Sequence, residues 1–531
     1  MQLQSQYEYS SRRSPVLARN VVSTSQPLAA QAGLSMLARG GNAVDAAIAT
    51  AAALTVLEPS GNGLGSDAFV IFWDGRQLHG LNASGRAPAG WTATRFNGLE
   101  AMPQRGWESV TVPGAVSGWV ELWEKFGSLS FENLLEPAIT YAEDGFPVSP
   151  VIAALWARGA ELLGAQPGFA ETFLPGGHAP AAGEIFRNPD IAYSLKRIAE
   201  TRGAAFYTGD LAEAIERFAI EHGAALQVSD LATHKADWCG TLSQSFDDVT
   251  LHEIPPNGQG IAALMGLGIL SQTNIRDLGA EDPQALHLQI EAMKLALRDA
   301  ETYVSDPEYM TAVTPSAMLD AGYLAERARL IDPNRATDFM VGAPRLGGTV
   351  YLTAADASGM MVSFIQSNYA GFGSGVVVPG TGIHLQNRGA GFSLDPGSQN
   401  RVAPGKRPFH TIIPAFLMRR DDPLMSFGVM GGPKQAQGHV QMTLRTQLWG
   451  QDPQMAVDAP RWRATEGLGV ACETSLPLST LNRLAAMGHV LSLEAPDNAF
   501  GFGGAQIITR LENGIYAAGS ESRKDGQAVG F

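Results

Sequence analysis

The chain has 531 residues, 45% of them apolar and 17% charged, and a formal net charge of −15. That composition is globular with a large buried core, which excludes a disordered chain, and the acidity disfavours nucleic acid and anionic membrane as partners. Cys239 and Cys472 are too few for a disulfide framework or a zinc cluster. With neither a signal-peptide core nor a membrane-length apolar run, a cytoplasmic address is expected.

Taken in chain order, the first predicted element is a helix over Leu28–Arg39, started by a Ser25 cap and Pro27 and stopped at Gly40-Gly41. Asn42 starts a second helix, Ala43–Leu57, apolar almost all round and therefore buried between layers. A glycine-rich loop, Pro59–Gly65, leads into a strand, Ala68–Trp73. Residues 114–235 read mainly as helices, with an amphipathic start at Pro137–Ala142. Asp248–Ile254 reads as a strand and Pro283–Val304 as a long helix burying Met293, Leu295, Ala296 and Leu297. Residues 305–346 lack sustained periodicity and read as a connector. Beyond Thr349 strands dominate, beginning with Thr349–Asp356 and Met360–Gln366, joined at Ala357-Ser358-Gly359. Helices and strands in this order suggest helices layered on sheets.

Three glycine-rich elements carry possible chemistry. Gly258-Gln259-Gly260-Ile261-Ala262-Ala263, with Asp277 downstream, fits a loose dinucleotide fingerprint, but two prolines precede it and no βαβ repeat follows. A tight strand-to-helix turn is the better reading. Met430-Gly431-Gly432-Pro433 follows an apolar strand, Met425–Val429, and suits convergent backbone N–H donors for an oxyanion. The third, Asn368-Tyr369-Ala370-Gly371-Phe372-Gly373-Ser374-Gly375, follows a strand whose hairpin neighbour would set Ser367 beside Thr349.

The run Leu346-Gly347-Gly348-Thr349-Val350-Tyr351-Leu352-Thr353 sets glycines before a threonine that opens a β-branched strand. A flexible peptide beside a hydroxyl is what self-cleavage needs. Attack of Thr349 Oγ on the Gly348 carbonyl, then hydrolysis of the ester, would leave Thr349 as a new N-terminus. Its α-amine would then be the base for its own hydroxyl. The plainer alternative is a turn entering a strand.

Ser25-Gln26-Pro27-Leu28-Ala29, Gly40-Gly41-Asn42-Ala43-Val44-Asp45-Ala46-Ala47, Glu58-Pro59, Val112-Pro113-Gly114, Asp144-Gly145-Phe146, Pro255-Pro256-Asn257-Gly258, Lys406-Arg407-Pro408, Gly431-Gly432 and Asp458-Ala459-Pro460-Arg461 together resemble the γ-glutamyltransferase family, in its order and over nearly the whole chain. The resemblance implies an α/β fold, the four-layer αββα sandwich of the N-terminal-nucleophile hydrolases. It implies cleavage between Gly348 and Thr349, with a large subunit 1–348 and a small subunit 349–531 staying together as a heterodimer. It implies Thr349 as nucleophile, Ser367 as its hydrogen-bond partner and Gly431 and Gly432 as oxyanion donors. No metal or organic cofactor is expected, and further dimerisation stays open.

The chain departs from the family at its substrate end. Arg388, in Gln386-Asn387-Arg388-Gly389-Ala390-Gly391-Phe392, stands where γ-glutamyl-specific members have a glutamine, and Gly391 where they have an aspartate. A cation replaces the counter-charge for a substrate ammonium, so a zwitterionic glutamyl end should fit poorly. Arg86 lies two residues from the family's carboxylate-binding arginine, and Phe409-His410-Thr411 replaces paired serines. Arg86 and Arg388 are candidate anion clamps, with Tyr369 and His410 on the substrate side; salt bridging in the scaffold is the alternative for both arginines. These changes resemble a divergent branch close to oxamate amidohydrolase. The expected activity is hydrolysis of a small carboxylate-bearing amide, oxamate first, in purine breakdown. γ-Glutamyl transfer or hydrolysis, a glutaryl or cephalosporin acylase, and an uncut binding protein are the alternatives.

Overall fold

A computed structural model of the chain describes residues 13–340, 348–496 and 501–531. Leu346 and Gly347, which open the candidate cleavage run, lie outside the described residues. Two seven-stranded sheets face each other. One runs, edge to edge, Gln527–Gly530, Val21–Thr24, Gly348–Ala355, Met361–Tyr369, Asp67–Trp73, Leu78–Ala83, Asp237–Trp238. The other runs Val16–Ala18, Tyr516–Ser520, Gly504–Arg510, Asp422–Met430, Ala415–Arg419, Val249–Glu253, Leu242–Phe246.

Strand alternation sorts the side chains into layers. In the first sheet Val70, Phe72, Val350, Leu352, Val362 and Phe364 pack against the helices of the N-terminal half. Their neighbours Phe69, Ile71, Tyr351 and Ile365 face the other way and meet Phe416, Met418, Ile508 and Tyr516 of the second sheet. That second sheet buries Leu251, Leu417, Phe427 and Ile507 against the helices Gly260–Leu270, Pro283–Tyr303 and Gln435–Thr443. The result is the four-layer αββα sandwich.

The helix Ala43–Leu57 has its expected bounds. Asn42 and Asp45 form a reciprocal capping box, and every residue of the helix is buried. The preceding helix, Pro27–Ala38, is capped by Gln26 rather than Ser25; the Ser25 hydroxyl donates instead to Glu58 at 2.6 Å. Pro137 does not start a helix but sits inside Phe131–Asp144, which Ser130 caps. The presumed connector holds two short helices, Pro315–Met318 and Ala321–Ala328. The C-terminal part also carries helices at Gln435–Thr443, Pro453–Asp458 and Leu478–Ala486 among its strands. Among the described residues no helix is long and apolar enough to cross a membrane.

Candidate active site

Thr349 stands at the start of the strand Gly348–Ala355, whose partner Met361–Tyr369 brings Ser367 beside it. The pairing shifts register between Gly348 and Val350, so the ladder is irregular at this peptide. Thr349 Oγ1 lies 3.1 Å from Ser367 Oγ and 2.8 Å from the Gly348 carbonyl oxygen. Ser367 Oγ also lies 2.8 Å from that oxygen. It accepts the Tyr369 N–H at 2.8 Å and an Arg388 Nη2–H at 3.2 Å. With both lone pairs engaged, the Ser367 proton is left for the Gly348 carbonyl or for Thr349 Oγ1. The Gly348–Thr349 peptide thus sits under two hydroxyls.

The surrounding loops are shaped for this. Tyr369 and Phe372 take left-handed backbone angles, φ 78° and 57°, a costly conformation for side-chain-bearing residues. The turn at Tyr369 sends its N–H to Ser367 and lays its ring under the Arg388 guanidinium, 4.4 Å away. Arg105 holds the loop by donating to the carbonyls of Gly371 and Gly373. On the far side, the loop Pro59–Gly65 accepts the Phe372 N–H on Ser60 and the Asn368 N–H on Gly61. A side chain at Gly63 would enter the His384 ring, so glycine is required there. Thr349 borders a small cavity with Glu58, Ser60, Gly431, Gly503 and Lys524. Gly431, at φ 133°, is bent into it straight after the strand Asp422–Met430. Gly432 follows at φ 66° and its carbonyl accepts Gln259 Nε2–H at 3.0 Å.

The Gly258–Ala263 run is thereby explained without a nucleotide. Its turn is filled by protein: Gln259 also donates to the Thr411 carbonyl, and Asn257 Nδ2 donates to Pro408 O at 2.8 Å. It fastens the 408–411 segment and Gly432 to one support.

Arg388 is wholly buried. Its Nη1 donates to Thr411 Oγ1 at 2.9 Å, its Nη2 to Ser367, and its Nε has no hydrogen-bond partner. Burial lowers its pKa to about 10, against the pull of Asp67. No carboxylate touches this guanidinium within salt-bridge distance among the described residues, an arrangement that favours an incoming anion. Arg86, by contrast, is engaged elsewhere: its Nη1 lies 3.2 Å from Asp306 Oδ2 and 3.1 Å from Gly405 O, on a partly exposed side chain. The structure therefore sets Arg86 in a scaffold ion pair and places Arg388 on Ser367, the neighbour of Thr349, while Lys524 borders the Thr349 cavity. At Gly391 an added Cβ would lie 2.7 Å from the Phe409 carbonyl oxygen, so the backbone closes the place of the family's aspartate.

His410 and a residue that sequence reasoning missed, Asp67, complete the cluster. Asp67 is opposite Ser367 across the strands, so both side chains point between the sheets. Its Oδ1 accepts the N–H groups of Gly85 at 3.0 Å and Gly114 at 3.1 Å, and its Oδ2 lies 3.1 Å from His410 Nε2. His410 Nδ1 faces the Ile412 N–H, which leaves the ring proton on Nε2 for Asp67. Burial, reinforced by Arg388 and Arg407, keeps the imidazole pKa well below its usual value, so the ring is neutral. The only sequence signal for Asp67 was a carboxylate at the mouth of an apolar strand. One group of side chains elsewhere, His287, Glu291 and His489, brings metal-ligand atoms within 4.8 Å. The two imidazoles there are bonded to each other, and Lys294 and the Thr337 N–H already hold the carboxylate.

The sequence model of gamma-glutamyltranspeptidase matches residues 29–531. The chain is 37% identical to the oxamate amidohydrolase proenzyme of Klebsiella pneumoniae, over 95% of this chain and 97% of that protein. It is 34% identical to the glutathione hydrolase-like YwrD proenzyme of Bacillus subtilis, over 98% and 100%. Among solved structures, the cephalosporin acylase from Bacillus halodurans superposes with a TM-score of 0.95 at 45% identity, covering 100% of this chain and 99% of that one. A buried threonine-serine pair at the mouth of an αββα sandwich and a family match over nearly the whole length point the same way: the chain belongs to the gamma-glutamyltranspeptidase family of amide-cleaving enzymes.

Proposed function

We propose that the chain is a self-processing threonine amidohydrolase acting on a small amide that carries a carboxylate, with oxamate the leading candidate. The observation that carries this reading is the placement of Thr349 and Ser367 on the Gly348 carbonyl, beside a buried guanidinium with no salt-bridged carboxylate among the described residues.

In the first reaction Thr349 Oγ adds to the Gly348 carbonyl carbon while Ser367 donates to the carbonyl oxygen. The C–N bond breaks, the new α-amine keeps the transferred proton, and water hydrolyses the ester. In the second, that amine takes the Oγ proton as the hydroxyl attacks the substrate amide. The tetrahedral oxyanion faces Gly431 and Gly432. Ammonia leaves with the proton, and water releases the acid from the threonine ester.

Arg388 selects the substrate. A carboxylate joined directly to the amide supplies the direct ion-pair partner that the guanidinium does not have among the described residues, at short reach. A γ-glutamyl end would bring an ammonium to a site where Arg388 stands in the place of the family's glutamine and Gly391 in the place of its aspartate. The names of the relatives leave oxamate, glutathione and cephalosporin-type amides all in play, and Arg388 favours the first.

The test combines processing with turnover. Denaturing electrophoresis of the purified protein should give fragments of 348 and 183 residues, whereas Thr349→Ala should give one uncut chain. Ammonia release from oxamate should exceed chromophore release from a γ-glutamyl anilide by at least about a hundredfold in kcat/KM, the scale of a mismatched buried charge. Turnover of the anilide with oxamate untouched would reject the substrate assignment.

A further inference from the structure

Asp67 raises a separate question. It is wholly buried, holds three hydrogen-bond donors, and faces the same gap between the sheets as Ser367, yet it does not touch Thr349. Arg388 exerts the largest electrostatic pull on it, and Arg407 adds to that pull. The other titratable groups near it are His410, which is neutral, and Tyr207, whose hydroxyl is bonded to Pro113 O and the Ser117 N–H. Asp67 is thus the nearby carboxylate that can offset the Arg388 charge without a direct salt bridge.

We propose that Asp67 is the exchangeable counter-ion of Arg388: it balances the guanidinium while the acyl site is empty, and it takes up a proton, on the Oδ2 lone pair that the His410 Nε2–H does not occupy, when a substrate carboxylate assumes that role. This rests on the reading of Arg388 as the anion-binding residue. The geometry fits an exchange. Oδ1 is fixed by two backbone N–H groups in either state. Oδ2, facing only the His410 ring among the hydrogen bonds of the described residues, is the oxygen with room for a proton. Two carboxylates near one buried guanidinium would leave a net negative charge out of water, which protonation of one removes. No bond other than O–H changes, and the proton comes from solvent.

Burial raises the Asp67 pKa to about 7, with Arg388 opposing. The empty site therefore holds an ionised Asp67 above neutrality, and anion binding there must be accompanied by proton uptake. By linkage, KM for an anionic amide should rise with pH above about 7, approaching tenfold per unit. Asp67→Asn, which keeps an acceptor for Gly85 and Gly114, should flatten that limb whatever its effect on kcat; a merely structural role would leave the slope of KM with pH unchanged.

The closing experiment uses mature wild-type enzyme and oxalate, the acid product, as probe. Calorimetry at pH 8 in buffers of different ionisation heat should show close to one proton taken up per oxalate. The Thr349 α-amine, Glu58 and Lys524 border the same cavity and could also take it, so difference infrared spectra should show a carboxylic-acid C=O band appearing on binding that persists in Glu58→Gln and is absent in Asp67→Asn. Uptake without that band, or no uptake, overturns the proposal, as does an Asp67→Asn protein that keeps the wild-type KM slope. Absence of any oxalate binding would instead overturn the anion-site reading of Arg388, and this inference with it.

Discussion

Ser367 has four neighbours within hydrogen-bond reach, and their roles are fixed by what each can donate. Tyr369 N–H and Arg388 Nη2–H can only give, so the serine proton is directed to the Gly348 carbonyl or to Thr349. A hydroxyl so constrained polarises the carbonyl that Thr349 would attack. Ser367→Ala should slow precursor disappearance by about 10²–10³, the usual loss for one donor to a developing oxyanion, and Ser367→Thr should restore it. The measurement is the time course of the uncut band after expression at low temperature. Processing of the alanine variant at the wild-type rate would mean that the serine proton is not aimed at the carbonyl. At this scale the sequence made Thr349 and Ser367 legible, because a two-residue hairpin relation follows from strand spacing. Asp67 was not legible. Its partners are 18, 47 and 343 residues away, and a lone carboxylate before an apolar strand has no local signature. Arg86 and Arg388 were both candidate anion clamps in the sequence, Arg86 with a two-residue offset from the family's arginine; the Asp306 and Gly405 contacts of the first and the buried Ser367 and Thr411 contacts of the second separate them.

Secondary-structure elements were readable in proportion to their local signals. The helix Ala43–Leu57 has a cap, a uniform apolar body and a proline beyond its end, and its bounds agree. The C-terminal helices were hidden because Gln435–Thr443 is buried yet polar, with Gln435, Gln437, His439 and Gln441 each hydrogen-bonded to a tertiary partner in place of an apolar stripe. At this scale the Glu521 cluster contributes to acid stability. The turn after the strand Tyr516–Ser520 carries Glu521, which receives Arg461 at 2.5 Å, Arg523 at 2.7 Å and the Ala505 N–H at 2.8 Å. Arg523 also pairs with Glu473. The same turn carries Lys524 to the cavity beside Thr349. Burial alone would raise the Glu521 pKa, but the two guanidinium groups outweigh it and hold the carboxyl at about 2. A folded-state pKa below the unfolded value stabilises the protein above about pH 4.5, and that contribution is lost as pH falls towards 2. The shift corresponds to roughly 3 kcal/mol. Glu521→Gln should therefore lower stability near neutrality by about that amount and shed about one proton from the acid dependence. Urea midpoints measured from pH 6 to 3 decide this; an unchanged acid slope in the variant would remove Glu521 from the account.

At the scale of the whole molecule, the proposed cut at 348/349 would divide both sheets without separating them. In the first sheet, Val21–Thr24 of the N-terminal part lies between Gln527–Gly530 and Gly348–Ala355 of the C-terminal part, while Met361–Tyr369 pairs with Asp67–Trp73. In the second, Ala415–Arg419 pairs with Val249–Glu253, and Val16–Ala18 closes the far edge on Tyr516–Ser520. Each sheet thus crosses from one fragment to the other more than once through backbone hydrogen bonds, and the layer between the sheets draws side chains from both fragments. Separating them would expose that whole apolar interior and break several ladders together, a cost of the order of unfolding either fragment. Cleaved protein should therefore elute in native size-exclusion chromatography as a species of 56.2 kDa or a multiple of it. It should resolve into two chains only in denaturant, with both chains lost from the native peak at a single midpoint. Release of the smaller chain under native conditions would show that the interleaved strands do not hold the halves together.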